Sequence, residues 1–303
     1  MFPILSGNVA SATAVSGNDE GIFGFGWNNS AVVDETNLVS NTGVIASDVA
    51  GVGTDRQQLA ACEYGGDKGI FGFGYLAAYT AITNLVSNAG VVASDTAGVG
   101  TARSDVAACS YGGDKGIFGF GYEDSPRTAV TNLVSNVGVV ADDTAGVGTI
   151  RSTLAACEYG DDKAIFGFGL DNSSATAVTN LVSNTGVVAS DQATVTGTAR
   201  SACAACSYGD DKGIFGFGYG NPYKSMTNLV SNTGVVASDV AGVGTGRGWL
   251  AATQYGGDKG IFGYGWNVSA KSMSNLVSNT GVMASDVAGV GTARGYLAAC
   301  SFN

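Results

Sequence analysis

The stretch Tyr64-Gly65-Gly66-Asp67-Lys68-Gly69-Ile70-Phe71-Gly72-Phe73-Gly74 decides the fold, because its second half recurs along the 303-residue chain. Copies of Ile-Phe-Gly-Phe/Tyr-Gly begin at Ile22, Ile70, Ile117, Ile165, Ile214 and Ile261. Their starts lie 47 to 49 residues apart. A fixed period of this length indicates a repeat architecture, in which each unit is one supersecondary structure that stacks on its neighbours.

Each unit contains four short segments of strand length that are separated by turn residues. In the unit that begins at Thr54 these segments are 59–64, 69–75, 83–87 and 91–94. The Gly and Asp residues between the first two segments suit the left-handed backbone of a tight hairpin. Four short strands in fewer than fifty residues predict an all-β chain, folded as a six-bladed β-propeller of four-stranded antiparallel blades.

The two ends of the chain suggest how the ring closes. A copy of the first strand of the unit occupies 297–302, where the sequence stops, whereas the copy at Ile22 is preceded only by a poor match at 11–16. We therefore predict that the C-terminal strand completes the first blade. The propeller would then span 17–303, and residues 1–16 would form an N-terminal arm.

The second strand of the unit alternates aromatic residues with glycine. Side chains of a β-strand point to opposite faces in turn, so Phe71 and Phe73 are expected on one face and Gly72 and Gly74 on the other. The aromatic rings of one blade would then fill the space left by the glycines of a neighbouring blade. We expect these contacts between blades to be the main source of stability.

Composition excludes several classes of function. The net charge is −11, which argues against a nucleic-acid partner, because phosphate binding needs a basic surface. The chain contains no histidine, the commonest general base and metal ligand. One acidic residue in each hairpin turn, with a second only at Asp161 and Asp210, is too few for a calcium shell. We therefore expect no enzyme activity, no cofactor and no bound metal, and the sequence contains no run of apolar residues long enough to span a membrane.

The six cysteines favour a reducing compartment. Five of them, Cys62, Cys109, Cys157, Cys206 and Cys300, occupy one repeat position, and Cys203 stands three residues before Cys206. Equivalent positions of neighbouring repeats are usually too far apart for a disulfide. We expect buried free thiols that act as small apolar residues. The first residues lack a basic segment followed by an apolar one, so we also expect no signal peptide.

At this point the unit resembles a kelch-type repeat. The matching parts are Thr101-Ala102-Arg103, Val106-Ala107-Ala108, the Gly112–Lys115 turn and Ile117-Phe118-Gly119-Phe120-Gly121. The resemblance covers 17–303 and implies a propeller of blades about 50 residues long. It departs from the family because the glycine doublet is split into Gly-Phe-Gly and the outer strands lack the usual Tyr and Trp. Near-identical units of this kind also resemble kelch-like proteins that tailed phages and environmental viruses encode.

The loops between the second and third strands differ from unit to unit, whereas the turns and the connections between blades are nearly constant. Variation on one set of loops is typical of a binding face, although loops that tolerate any sequence would look the same. The candidate binding residues are aromatic and lie at or within these loops: Trp27, Tyr75, Tyr79, Tyr122, Tyr219, Tyr223 and Trp266. They would form a platform for sugar rings or a partner protein, or would continue the aromatic stack between blades.

Each unit also contains one acidic residue and one arginine, eight or nine residues apart. The pairs are Asp48 and Arg56, Asp95 and Arg103, Asp143 and Arg151, Asp191 and Arg200, Asp239 and Arg247, and Asp286 and Arg294. Six copies of one arginine–carboxylate partnership predict structural ion pairs that fix the connections between blades.

Together these features predict a non-enzymatic structural or interaction protein. The viral resemblance implies a component of a phage or virus particle, such as a capsid decoration, tail or fibre protein, that is assembled in the cytoplasm and binds other structural proteins. The alternative is a lectin-like propeller that binds glycans, with a cytoplasmic location as the alternative to the virion. A cellular adaptor would need a further domain, for which this sequence has no room.

Overall fold

The computed structural model describes residues 19–192 and 196–302 as an all-β chain that contains no helix in those residues. Its main feature is six three-stranded antiparallel sheets. The first strands of the sheets, the inner strands, are β20 (Ala298–Phe302), β3 (Ala60–Tyr64), β6 (Ala107–Tyr111), β9 (Ala155–Tyr159), β12 (Ala204–Tyr208) and β15 (Ala251–Tyr255). The middle strands are β1 (Glu20–Trp27), β4 (Lys68–Gly72), β7 (Lys115–Tyr122), β10 (Lys163–Gly167), β13 (Lys212–Tyr219) and β16 (Lys259–Gly263).

The third strands complete the sheets, which we number 1 to 6 in the order of their middle strands. They are β2 (Val32–Val39), β5 (Thr83–Val86), β8 (Arg127–Val134), β11 (Thr179–Val182), β14 (Tyr223–Val230) and β19 (Ser274–Val277). A separate two-stranded hairpin, β17 (Trp266–Asn267) and β18 (Ser269–Ala270), lies in the loop of sheet 6. The all-β prediction is therefore confirmed, and the six sheets are consistent with a propeller-like arrangement.

The C-terminal strand pairs with the first sheet. Strand β20 runs antiparallel to β1, with Cys300 opposite Ile22 and Phe302 opposite Glu20. Each inner strand lies beside the inner strands of the two neighbouring sheets, and β20 lies between β15 and β3. The proposed N-terminal arm, 1–16, and the poor match at 11–16 lie outside the described residues.

The predicted fourth strand is not a strand in the structure. After the third strand, the chain turns back and makes only isolated antiparallel bridges, such as Val86 with Val92 and Thr83 with Thr96 in sheet 2. The segment that follows Val92 is largely exposed. Its small and flexible residues, Ala-Ser-Asp-Thr-Ala-Gly, do not pack a second face, so the hydrogen-bonded ladder stops after two contacts.

The first glycine of each Gly-Phe/Tyr-Gly segment receives an aromatic ring from the next sheet, as the sequence predicts, whereas the second, such as Gly74, lies against Gln57 and Leu59 instead. A Cβ atom on Gly119 would lie 2.8 Å from the ring of Phe166, and one on Gly263 would lie 2.7 Å from the ring of Phe23. The same relation holds in all six sheets. The six pairs are Gly24 with Phe71, Gly72 with Phe118, Gly119 with Phe166, Gly167 with Phe215, Gly216 with Phe262, and Gly263 with Phe23.

The simple alternation fails at the second aromatic residue. Phe71 contacts Phe25 of sheet 1, with ring centroids 5.2 Å apart, whereas Phe73 contacts Phe118 of sheet 3 at 5.1 Å. The two rings therefore point to opposite sides, which corrects the prediction that they share a face. The cause is the left-handed backbone at Phe73 (φ 63°), which the equivalent residues share and which forms a β-bulge in the longer strands.

Six fully buried arginines, which we call the arginine ring, join neighbouring sheets: Arg56, Arg103, Arg151, Arg200, Arg247 and Arg294. Arg103 donates from Nε to the carbonyl of Phe120 (2.8 Å) and from Nη2 to Oδ1 of Asn132 (2.7 Å), both in sheet 3. Its guanidinium carbon lies 4.3 Å from the ring centroid of Phe73 in sheet 2. Each arginine covers an aromatic ring in this way, at 4.1 to 4.9 Å.

The carboxylate that accompanies each arginine is not the one that the spacing predicts. Arg56 lies 3.8 Å from Asp95 rather than beside Asp48, and Arg294 lies 3.4 Å from Asp48. The reason is the chain path between sheets. Asp48 follows the third strand of sheet 1 and bonds to Asn37 there, whereas Arg56 precedes the first strand of sheet 2 and bonds to Asn84 there. Four ion pairs are shifted by one repeat in this way, at 3.4 to 3.9 Å: Arg56 with Asp95, Arg151 with Asp191, Arg247 with Asp286, and Arg294 with Asp48.

Candidate functional site

The variable loops begin beside the segments that lead into the inner strands. One residue in each sheet, which we call the rim residue, ends the middle strand or lies three residues beyond it. The rim residue pairs with the residue that follows an arginine of the ring: Trp27 with Gly295, Tyr75 with Gln57, Tyr122 with Ser104, Leu170 with Ser152, Tyr219 with Ser201, and Trp266 with Gly248. The amide of Tyr122 donates to the carbonyl of Ser104 at 2.8 Å, and the amide of Ser104 donates back at 3.0 Å. The predicted binding residues therefore stand on a rigid backbone.

The seven predicted aromatic residues fall into two clusters. Trp27 contacts Trp266 (ring centroids 5.2 Å apart), and Tyr219 contacts Tyr223 (5.1 Å). Trp249 and Tyr296 connect these two pairs into one large aromatic cluster on sheets 1, 5 and 6. The small aromatic cluster, on sheets 2 and 3, contains Tyr75, Tyr79 and Tyr122. All seven side chains remain partly exposed, so they stack on one another and still present surface to solvent.

Two residues after each arginine comes a position that we call the axial ring: Gln58, Asp105, Thr153, Ala202, Trp249 and Tyr296. The six backbones are alike, since all have a positive φ between 47° and 61°. The amide of each member donates to the carbonyl of the preceding member at 2.8 to 3.0 Å, and Gln58 donates to Tyr296. The six hydrogen bonds thus form a complete cycle. They compensate for the unfavourable left-handed backbone of these non-glycine residues.

The axial ring lines a cavity of about 70 Å³ at the lead-in ends of the inner strands. Polar side chains (Gln58, Asp105 and Thr153) occupy one part of its wall, and the Trp249 and Tyr296 rings, 5.0 Å apart, occupy another. Burial raises the pKa of Asp105 to about 7, against the opposing charge of Arg127 and a hydrogen bond from Gln58. This asymmetry contrasts with the near-identity of the six sheets around it.

A second cavity, of about 60 Å³, lies along the inner strands toward the hairpin turns. Its wall carries Glu63 and Glu158, and the hydroxyl of Ser110 lies 2.8 Å from a carboxylate oxygen of each. A serine hydroxyl has one proton to donate, so the second contact requires a proton on one of the carboxyl groups. Consistently, burial and the charge of Glu63 raise the pKa of Glu158.

The structure buries all six cysteines as free thiols, as the sequence predicts. Burial raises the pKa of Cys206 to about 12, so this thiol is neutral and acts as a small apolar side chain. In the described residues, no three histidine, cysteine, aspartate or glutamate side chains are grouped so that they could hold a metal ion. No helix within 19–192 and 196–302 is long and apolar enough to cross a membrane.

The sequence interpretation missed the axial ring. The signal is weak, because the position two residues after each arginine holds six different residue types but the positions on either side of it vary as well. Only the structure brings Asp105, Trp249 and Tyr296 to one cavity. The rim aromatics and the axial ring together are the candidate binding site.

No protein-family model matches the chain, and no curated protein matches it either. The resemblance to kelch-type repeats and to viral proteins therefore remains a prediction.

Proposed function

We propose that the protein is a non-enzymatic binding protein, built as a closed six-bladed propeller that binds its ligand on the face carrying the variable loops. The pairing of β20 with β1 and the cycle of axial hydrogen bonds support the closed ring. The observation that carries the binding proposal is the large aromatic cluster. Its rings are partly exposed, and backbone bridges fix the rim residues that carry them. The contacts between sheets are the same around the ring, whereas this cluster occurs only on sheets 1, 5 and 6.

The ligand class that this surface fits best is carbohydrate. Sugars present apolar C–H faces, and partly exposed Trp and Tyr rings on a fixed backbone offer flat surfaces on which such faces stack. Gln58, Thr153 and Asp105 lie nearby in the axial cavity and offer hydrogen-bonding groups for hydroxyls. The proposed role is therefore that of a lectin-like propeller.

A glycan array with the purified protein tests this proposal. We expect a defined set of glycans to bind, and Trp27→Ala and Trp266→Ala each to weaken the signal by about tenfold or more, since stacked aromatics dominate such interfaces. The matched control is Leu76→Ala, which changes an exposed loop residue that is 44% accessible. If no glycan binds, or if Leu76→Ala weakens the signal as much as the tryptophan substitutions, the carbohydrate proposal is wrong.

A second candidate function is that of a structural component of a larger assembly, such as the virus particle suggested by the resemblance. One observation favours it, which is that every sheet exposes an equivalent valine after its third strand. These valines, 61–65% accessible, are Val44, Val91, Val139, Val187, Val235 and Val282. Six repeated apolar positions suit contact with a protein surface rather than a sugar.

Crosslinking mass spectrometry on the native particle or lysate separates the two functions. Crosslinks from residues near these valines to one abundant structural protein would support the assembly role. Glycan binding without such crosslinks would support the lectin-like role.

Deleting 297–303 tests the closed ring. This deletion removes β20, so β1 loses its inner partner and two neighbouring inner strands lose a contact. We expect the melting temperature to fall by roughly ten degrees or more, because a loss of several kcal/mol in unfolding free energy lowers the melting temperature by about that much. A protein that fails to fold would be the extreme form of the same result. An unchanged melting temperature would contradict ring closure.

A further inference from the structure

The axial cavity contains a carboxylate with few partners. Among the described residues, one hydrogen bond reaches the Asp105 side chain, from Nε2 of Gln58 to Oδ2 at 3.3 Å. A carboxylate has acceptor sites on both oxygens, so most of its capacity remains free. The equivalent positions in the other sheets carry no charge, because they are Gln58, Thr153, Ala202, Trp249 and Tyr296. An ionisable carboxyl group has therefore been placed at this cavity once, near the opposing charge of Arg127, and the repeated scaffold does not require it.

The aromatic part of the wall complements a positive charge. Asp105 and Trp249 stand three positions apart in the six-membered axial ring, and both line the cavity with Tyr296. Cations bind over the faces of tryptophan and tyrosine, most strongly when they are desolvated. Burial, and then the charges of Tyr223 and Asp105, raise the pKa of Tyr296 to about 12. A cation in this cavity would therefore have the carboxylate on one side and the two electron-rich rings on the other.

The size and the donor set restrict which cation would fit. A volume of about 70 Å³ holds a small head group and not a whole ring. One carboxylate, one amide and one hydroxyl are too few ligands for calcium, which needs six to eight oxygens. A primary ammonium group has three N–H donors. The Asp105 carboxylate, the side-chain carbonyl of Gln58 and the Thr153 hydroxyl offer three groups that can accept them.

We propose that the axial cavity binds the primary ammonium group of a small amine, with Asp105 as its counter-ion and Trp249 and Tyr296 against its charge. The carrier of the group is an alkyl chain or an amino sugar, which would extend from the cavity toward the rim residues. The net charge of −11 favours the approach of a cation. This site goes beyond the proposed carbohydrate function, because it would bind an alkylamine whether or not the rim binds sugars.

NMR titration of the tryptophan indole N–H signals tests the proposal on the intact chain. The protein has three tryptophans, and Trp249 lines the cavity while Trp27 and Trp266 belong to the rim. The probes are n-butylammonium and glucosamine, with 1-butanol and N-acetylglucosamine as neutral controls. We expect saturable shifts of the Trp249 signal with at least one ammonium probe and none with the neutral controls. Butylammonium alone would indicate an alkyl carrier, and glucosamine alone would indicate an amino sugar.

Substitutions then assign the counter-ion. Asp105→Asn keeps the shape of the side chain and is expected to weaken ammonium binding by about tenfold or more. The matched control Asp124→Asn removes a charge from an exposed loop and should leave binding unchanged. If Asp105→Asn fails to fold, Tyr296→Leu provides the second variant, with an expected weakening of roughly threefold to tenfold. No saturable shift, equal shifts with 1-butanol, or full affinity in the substituted protein would overturn the proposal.

Discussion

The arginine ring and the axial ring lie two residues apart in the same segment of each repeat, yet they differ completely in how much they vary. One position is arginine six times, and the other is Gln58, Asp105, Thr153, Ala202, Trp249 and Tyr296. The axial position has the same left-handed backbone in all six sheets, so backbone conformation does not explain why it varies. The difference lies in what surrounds the side chain, since the arginine donates to fixed carbonyl and amide oxygens while the axial residue faces a cavity. The residue type is constant where the side chain completes a buried hydrogen-bonded network. It varies where the side chain faces a cavity.

The largest expected effect is the loss of one arginine. Arg103→Met leaves the Phe120 carbonyl and the Asn132 amide oxygen without their donor, and it removes the charge that accompanies Asp143. Breaking a buried charged network costs about 3–5 kcal/mol, so we expect that decrease in the unfolding free energy measured in urea. Arg127→Met is the control, because this arginine is only partly buried, and it should cost about 1 kcal/mol or less. Equal losses would contradict the special role of the ring.

The next effect sharpens the role of the glycine sockets. Gly119→Ala places a Cβ atom 2.8 Å from the ring of Phe166, so the ring must shift or the sheets must separate. We expect a loss of about 1–3 kcal/mol in unfolding free energy. The companion variant Gly119→Ala/Phe166→Leu should recover part of that loss, because leucine leaves room for the methyl group. A double variant that is less stable than the sum of the two single changes would contradict the socket model.

A smaller effect concerns pH. The pKa of Asp105 is raised to about 7, and Glu158 is raised in the same direction beside Glu63, Asp161 and Asp162. The folded protein therefore holds protons that the unfolded chain releases, and stability falls as the pH rises from about 4 to 7. By contrast, hydrogen bonds from Thr101 and Asn132 outweigh burial and lower the pKa of Asp143, so stability also falls below about pH 4. Calorimetric melting from pH 3 to 9 should give a mildly acidic maximum.

The origin of the pH effect can be checked with two variants. Asp105→Asn and Glu158→Gln should each flatten the decline between pH 5 and 8, whereas Asp124→Asn should leave it unchanged. A melting temperature that rises through this range in the unmodified protein would show that these carboxyl groups are not held protonated.

The smallest expected effect is at the hairpin turns. Lys115 and Asp114 form an exposed ion pair at 2.6 Å, with about two fifths of each side chain accessible. Exposed pairs contribute about 0–1 kcal/mol, so Lys115→Ala should change the unfolding free energy by less than about 0.5 kcal/mol. A loss as large as that of Gly119→Ala would mean that the turns, which also hydrogen-bond to one another across sheets, have a larger role.

Much of the fold could be predicted because the repeat displays it. The period, the hairpin turns and the Phe–Gly complementarity follow from side-chain size and strand geometry, and the structure contains the first three of the four expected strands in each sheet. The fourth strand could not be distinguished from a bridged loop, because a short Val-Val segment fits both. The direction of the Phe73 side chain could not be predicted either. Left-handed backbone is expected at glycine, and here it occurs at a phenylalanine.

The candidate site was predictable in part. The sequence predicts aromatic residues such as Trp27 and Trp266 where the variable loops begin, and the structure brings these two into contact. Asp105 and Trp249 gave no local signal of a shared cavity, because 144 residues separate them in the sequence. The arginine–carboxylate pairing was assigned to the wrong repeat for a related reason, since sequence distance does not reveal which sheet a segment enters.

The unfolding free energy of the triple variant Gln58→Ala/Asp105→Ala/Thr153→Ala tests most directly whether the axial ring is free to vary. Ala202 already occupies this position with the same left-handed backbone, and the hydrogen-bonded cycle uses only main-chain atoms. We therefore predict a loss of no more than about 1 kcal/mol, as for substitutions away from buried networks. A loss of about 3 kcal/mol or more, comparable with that of Arg103→Met, would contradict the division between a fixed scaffold and a variable binding ring.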